Sequence, residues 1–163
     1  MASLAGEPVE TLRAAIKQLE KCVSVRAVSS FYATQPVGFV DQAPFVNAVV
    51  QVRTGKSPED LMVRLLEIER EFGRDRAATR AKGPRTLDLD LLLIGHLILQ
   101  TPGLTLPHAA MATLRFVLAP LAELAPDVCH PVLGKTILEL LRGLPAAGEN
   151  GEAAVRVMQV PGR

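Results

Sequence analysis

Gly73-Arg74-Asp75-Arg76-Ala77-Ala78-Thr79-Arg80-Ala81-Lys82-Gly83-Pro84-Arg85-Thr86-Leu87-Asp88-Leu89-Asp90 is the stretch on which the reading of this chain turns. Its first half is polar and cationic: Arg74, Arg76, Arg80, Lys82 and Arg85 stand against Asp75. Gly83-Pro84 then sets a turn, and Thr86 to Ile94 reads as a strand. Strand period 2 places Thr86, Asp88 and Asp90 on one face and Leu87, Leu89 and Leu91 on the other. The leucines enter a core while the two carboxylates project side by side, their Cα atoms about 7 Å apart. Two like charges that close need a counter-charge. One solution is a solvated face paired with the upstream arginines. The other is Mg²⁺, which binds hard oxygens through one or two carboxylates plus substrate phosphates. A cationic loop running into a carboxylate strand suits a metal–polyphosphate substrate, and the combination favours that second reading.

Upstream, Ser57-Pro58-Glu59-Asp60 starts a helix, with Ser57 as N-cap and Pro58 at the first helical position. Leu61, Leu65, Ile68 and Phe72 mark its apolar face, and Gly73 ends it. Phe45 to Thr54 and Val23 to Tyr32 read as strands, joined by a Pro- and Gly-containing loop from Thr34 to Pro44. A first helix begins at Pro8, carries Val9, Leu12, Ala15, Ile16 and Leu19, and ends near Lys21. Downstream, a helix spans roughly Met111 to Leu124 and a short one Thr136 to Leu141. From Pro145 the chain frays, with Ala154 to Val160 able to add a short strand. The alternation predicts an α+β fold, a sheet with helices packed on one face.

The whole chain of 163 residues fits one domain. Net charge is +1 and aromatics are 4% with no Trp, so neither a basic field nor a stacking surface for nucleic acid is present. The longest apolar run, Leu91 to Ile94, is far short of the roughly 20 residues that span a bilayer. Met1 to Pro8 lacks a basic, apolar leader. Cys22 and Cys129 form no CxxC or Cys/His cluster and read as reduced, buried thiols. These features place the chain in the cytoplasm, with neither nucleic acid nor membrane as partner.

Gly83-Pro84-Arg85-Thr86-Leu87-Asp88-Leu89-Asp90 resembles the signature of the 6-hydroxymethyl-7,8-dihydropterin pyrophosphokinase family of folate biosynthesis. Ser29-Ser30-Phe31-Tyr32-Ala33-Thr34 and Asp41-Gln42-Ala43-Pro44-Phe45-Val46-Asn47-Ala48 resemble further blocks of it. So do Glu69 to Arg74, Leu104-Thr105-Leu106-Pro107-His108 and Phe116-Val117-Leu118-Ala119-Pro120-Leu121. The likeness runs from about residue 4 to about residue 143.

The resemblance implies transfer of the β,γ-pyrophosphoryl group of ATP to the pterin hydroxymethyl group, releasing AMP, on a ferredoxin-like sandwich with an antiparallel-rich sheet. It implies that Asp88 and Asp90 hold two Mg²⁺ ions. Arg74 and Arg85 contact the triphosphate and stabilise developing charge, with Arg76 a weaker candidate. Thr105, His108 and Arg115 are implied at ATP. Phe45 and Phe116 sandwich the pterin, Asn47 reads its polar edge, and Thr34 with the backbone of Gln35 and Val37 completes the site. Glu69 stands where the family has an acid at the end of the second helix. His96 and His130 receive no role.

This chain departs from the family pattern in four places. Met1-Ala2-Ser3-Leu4 falls at the turn that ends the family's first strand, so the given sequence is expected to lack that usual central strand; either the true start lies upstream, or Ala154 to Val160 or a partner chain fills the gap. Lys82 replaces a common aromatic, Leu114 a common arginine with Arg115 beside it, and the loop from Gly73 to Gly83 is one residue longer. The expected organisation is a pyrophosphokinase domain over residues 1–145 and a tail over 146–163. A non-catalytic nucleotide- or pterin-binding remnant is the alternative; an RNA-binding module would need exposed sheet aromatics among Phe31, Tyr32, Phe39 and Phe45.

Overall fold

Residues 6–34, 45–73, 87–145 and 155–158 are described by the structure, a computed structural model. The helix expected after Ser57 is present as α2, Pro58–Glu71, following α1, Gly6–Glu20. The Ser57 hydroxyl accepts the Asp60 N–H at 3.1 Å, and Glu59 and Asp60 in the first turn complement the helix dipole. Gly73, just past the end, has φ of 89°, a conformation that costs glycine little.

Each expected long strand is broken in two. Val23 to Tyr32 becomes β1, Ser24–Val28, and β2, Phe31–Thr34; Phe45 to Thr54 becomes β3, Phe45–Asn47, and β4, Val50–Arg53. β1 pairs antiparallel with β4, with a bulge at Arg26, and β2 pairs antiparallel with β3. The breaks face one another. Ser29 N–H donates to the Val49 carbonyl at 2.9 Å, and Val49 N–H donates to Ser29 Oγ at 2.9 Å. A hydroxyl substitutes for a ladder carbonyl there, so the backbone turns without stranding a buried polar group.

The expected tail strand is present as β7, Val155–Met158, antiparallel to β2 on the edge away from β3. A hairpin not anticipated from sequence, β5, Leu99–Thr101, and β6, Leu104–Leu106, turns at Pro102-Gly103. The described strands thus form small antiparallel sheets in an α+β arrangement.

Of the strand expected over Thr86 to Ile94, the described part, Leu87 to Ile94, pairs with no strand among the described residues. The physical reason is visible at Leu89, whose N–H goes to the Glu69 carboxylate at 2.6 Å instead of to a ladder carbonyl. The alternation nevertheless holds: Leu87 is buried and Leu89 half-buried, while Asp88 and Asp90 are exposed. Leu87, Leu89 and Leu91 join the core between α1 and α2, built on Ala15, Leu19, Leu61, Leu65 and Ile68. Leu92 and Leu93 then join a second core around Met111, Leu118, Leu121 and Ile137. The segment therefore stitches two cores together and is anchored on both sides.

The helix expected over Met111 to Leu124 is interrupted at Leu114. A 3₁₀ turn, Met111–Thr113, precedes α3, Arg115–Leu124. The final helix, α4, Ile137–Arg142, opens with a reciprocal capping box between Thr136 and Glu139. Those hydrogen bonds from Thr136 hold the Glu139 carboxyl below its ordinary value. Cys22 and Cys129 are half-buried and not in a disulfide, more exposed than expected. No helix among the described residues is long and apolar enough to cross a membrane.

Candidate active site

Asp90 and Leu91 line one wall of a cleft of about 260 Å³. Met62 of α2 forms another wall; Leu104 and Thr105 of β6 and His108 to Ala110 close the rest. Thr105 is exposed because it alternates with the inward Leu104 and Leu106. His108 is set by its backbone: its N–H donates to the Leu92 carbonyl at 2.9 Å, tying the end of the hairpin to the aspartate segment. Its Nδ1 accepts the Ala110 N–H at 3.2 Å. An accepting Nδ1 leaves the proton of the neutral ring on Nε2, which is then the donor available to a ligand.

Three of the residues expected at the ATP–metal end, Asp90, Thr105 and His108, thus meet in one cleft. Asp88 lies on the same outward face as Asp90, two residues away. Glu69, 1% exposed, holds the N–H of the residue between them. Among the described residues no group of three or more His, Cys, Asp or Glu forms a metal cage. Two exposed carboxylates on one face fit Mg²⁺, which takes its remaining ligands from water and substrate phosphate.

A second set gathers on the β2–β3 ladder. Thr34 lies opposite Phe45, and Tyr32 opposite Asn47. Thr34 and Asn47 are therefore diagonal neighbours on one face, and Asn47 Nδ2 donates to Thr34 Oγ1 at 3.3 Å. Phe45 is 58% exposed, an apolar ring held at the surface at the start of its strand. Phe116 sits in the first turn of α3, which packs against β2 and β3.

Arg115 is not in the cleft. Its Nη2 donates to the Pro145 carbonyl, at the end of the segment that follows α4. Arg74, Arg76 and Arg85, with Gln35 and Val37, lie outside the described residues, as do Arg80 and Lys82. Sequence reasoning missed Met62 and Gly103 as cleft residues. The turn dipeptide Pro102-Gly103 between apolar runs was the signal for the second of these.

The chain matches the family model described as 7,8-dihydro-6-hydroxymethylpterin-pyrophosphokinase (HPPK) over residues 1–126. It is 44% identical over 145 residues to the 2-amino-4-hydroxy-6-hydroxymethyldihydropteridine pyrophosphokinase of Pseudomonas aeruginosa, covering 88% of each chain. The enzyme of the same name from Haemophilus influenzae is 45% identical over 126 residues, 76% of this chain and 78% of its own. That from Bacillus subtilis is 42% identical over 125 residues, 76% of this chain and 74% of its own. The match covers the aspartate segment, the cleft and the β2–β3 ladder alike, and the chain belongs to the 7,8-dihydro-6-hydroxymethylpterin-pyrophosphokinase family.

Proposed function

We propose that this chain transfers pyrophosphate from ATP to the hydroxymethyl group of 6-hydroxymethyl-7,8-dihydropterin, a step of folate biosynthesis. The pterin hydroxyl oxygen bonds to the β-phosphorus of ATP, the bond from that phosphorus to the α,β-bridging oxygen breaks, and AMP leaves. The hydroxyl proton passes to solvent, with Asp90 a carboxylate acceptor in the cleft. Such transfer runs on positioning and electrostatics, so no dedicated general base is needed. The observation that carries this reading is the convergence of Asp90, Thr105 and His108 on one cleft.

In this reading Asp88 and Asp90 would hold two Mg²⁺ ions, whose positive charge would offset that of the phosphates. His108 Nε2–H and the Thr105 hydroxyl donate to the nucleotide. Arg74, Arg85 and, more weakly, Arg76 contact the triphosphate and oppose the charge that develops in transfer. Arg115 serves ATP only if it exchanges the Pro145 carbonyl for phosphate. Phe45 and Phe116 stack on the two faces of the pterin. Asn47, steadied by Thr34, reads its amide-like edge, and the backbone of Gln35 and Val37 completes that side. We assign these parts to a ferredoxin-like pyrophosphokinase domain of residues 1–145 in a cytoplasmic protein.

The test is product analysis. Purified, folded protein given ATP, Mg²⁺ and the pterin forms AMP, not ADP, and only when the pterin is present. No AMP under those conditions ends this reading; nucleotide binding without turnover would make the chain a non-catalytic binding module instead.

A further inference from the structure

Glu123, in the last turn of α3, has no part in the substrate contacts assigned above. Its Oε1 accepts the Tyr32 hydroxyl at 2.7 Å. Its Oε2 accepts the Ser30 N–H at 2.9 Å and the Ser30 hydroxyl at 3.1 Å. The Ser30 N–H also reaches Oε1, at 3.1 Å. Ser30 precedes β2, and Tyr32 lies within it, directly opposite Asn47. One carboxylate therefore grips the residue leading into β2 and a side chain within it, beside the pterin-reading amide.

Phe116 lies seven residues earlier on the same helix. Seven residues are two turns, about 10.5 Å along the axis, and return to the same helix face. Val117, Leu118, Leu121 and Ala122 occupy the neighbouring face, against the second core. Pro120, between Phe116 and Glu123, has no N–H, so the Phe116 carbonyl lacks its i+4 donor. The first turn of α3 depends correspondingly more on how the helix is docked than on its own ladder.

We propose that Glu123 is a positioning residue that fixes α3 on β2, so that Phe116 and Asn47 keep their spacing across the pterin ring. This rests on the pterin site assigned above. Stacking and edge recognition of one small planar ring must be satisfied together, and misplacement by an ångström is costly. Apolar packing lets a helix slide, whereas charge-assisted hydrogen bonds from a backbone N–H and a buried tyrosine are directional and fix register.

The experiment compares the full chain with Glu123→Gln and Tyr32→Phe by steady-state kinetics, thermal melting and calorimetric titration with a non-hydrolysable ATP analogue plus Mg²⁺. Glu123→Gln places an amide N–H₂ among donors; Tyr32→Phe removes one tie only. The pterin KM rises about tenfold in Glu123→Gln and about threefold in Tyr32→Phe, while the ATP KM and analogue affinity stay within about twofold. A lowered melting temperature with both KM values unmoved, or with both raised alike, overturns the assignment. Should Glu123→Gln fail to fold, Tyr32→Phe decides by the same criteria. An active wild type with unshifted variants removes only the role of Glu123, whereas a wild type forming no AMP removes the pyrophosphokinase reading and this inference with it.

Discussion

The Glu69 carboxylate, 1% exposed, accepts the N–H of Leu89 at 2.6 Å. An acid on α2 thereby fixes the residue that separates Asp88 from Asp90, in a segment with no ladder among the described residues to hold it straight. Hydrogen bonds to a charged acceptor are worth about 1.5–3 kcal/mol, and an orphaned buried N–H costs about as much.

Glu69→Ala should therefore lower stability by about 2–3 kcal/mol. It should also weaken Mg²⁺-dependent binding of an ATP analogue, because the two aspartates lose their common anchor. Glu69→Gln, which still presents an acceptor oxygen, should lose less of both. Urea denaturation and calorimetric titration on the same preparations check this, and equal losses in the two variants would contradict the anchoring role.

Asp88→Asn and Asp90→Asn touch exposed carboxylates of like charge, so stability should stay within about 0.5 kcal/mol of wild type. Turnover should fall on the order of a hundredfold or more, as when a group that stabilises transition-state charge is removed. Raising Mg²⁺ should restore part of the lost rate. A variant that keeps full rate at low Mg²⁺ would take that aspartate out of the metal site.

Phe45→Ala separates stacking from stability. The ring is 58% exposed, so its loss costs the fold little. Stacking on one face of the pterin is worth about 0.5–1.5 kcal/mol, which makes the pterin KM rise about two- to tenfold with the ATP KM unchanged. Kinetics with each substrate varied in turn give the answer. A melting temperature that falls while the pterin KM holds would make Phe45 structural.

His130 should make stability sensitive to acid. It is 5% exposed, and its Nδ1 accepts the N–H groups of Val132 at 3.2 Å and Leu133 at 3.1 Å. Burial pushes its pKa below the ordinary 6.5. The unfolded chain then binds the proton first, so stability is intact above about pH 6.5 and declines as pH falls toward the folded value. Protonation also turns the acceptor into a donor facing two donors. Denaturation midpoints at a series of pH values should show this decline, and His130→Gln should flatten it while lowering stability at neutral pH. An unchanged slope in the variant would assign the acid sensitivity elsewhere.

Much of the local structure was legible because single residues enforce it. Ser57 and Pro58 cap α2, Gly73 ends it at positive φ, and Thr136 opens α4. The alternation of Leu87, Asp88, Leu89, Asp90 and Leu91 gave the inward and outward faces correctly even though no ladder forms there among the described residues. Alternation reports which side is buried, not which backbone pairs with it. The broken strands were not legible. Ser29-Ser30 is compatible with a strand until Glu123, 93 residues away from Ser30, and Val49 supply partners from elsewhere in the fold. The roles in the cleft came from likeness to a family; spacing alone supported only a metal–phosphate strand and its cationic approach. The meeting of Asp90 with Thr105 and His108 needs the hydrogen bond from His108 N–H to the Leu92 carbonyl, which no local pattern encodes.

The facing breaks at Ser29 and Val49 divide the chain's mutational freedom. Val25 and Val52, on the paired strands to one side, pack on the α1–α2 core. Thr34, Phe45 and Asn47, on the other, share the ladder face proposed above to take the pterin. The two ladders are joined at the Ser29–Val49 stitch rather than by one continuous sheet, so repacking the first need not re-aim the second. Sequence drift under pressure for stability and drift under pressure for pterin specificity can therefore proceed on opposite sides of one serine.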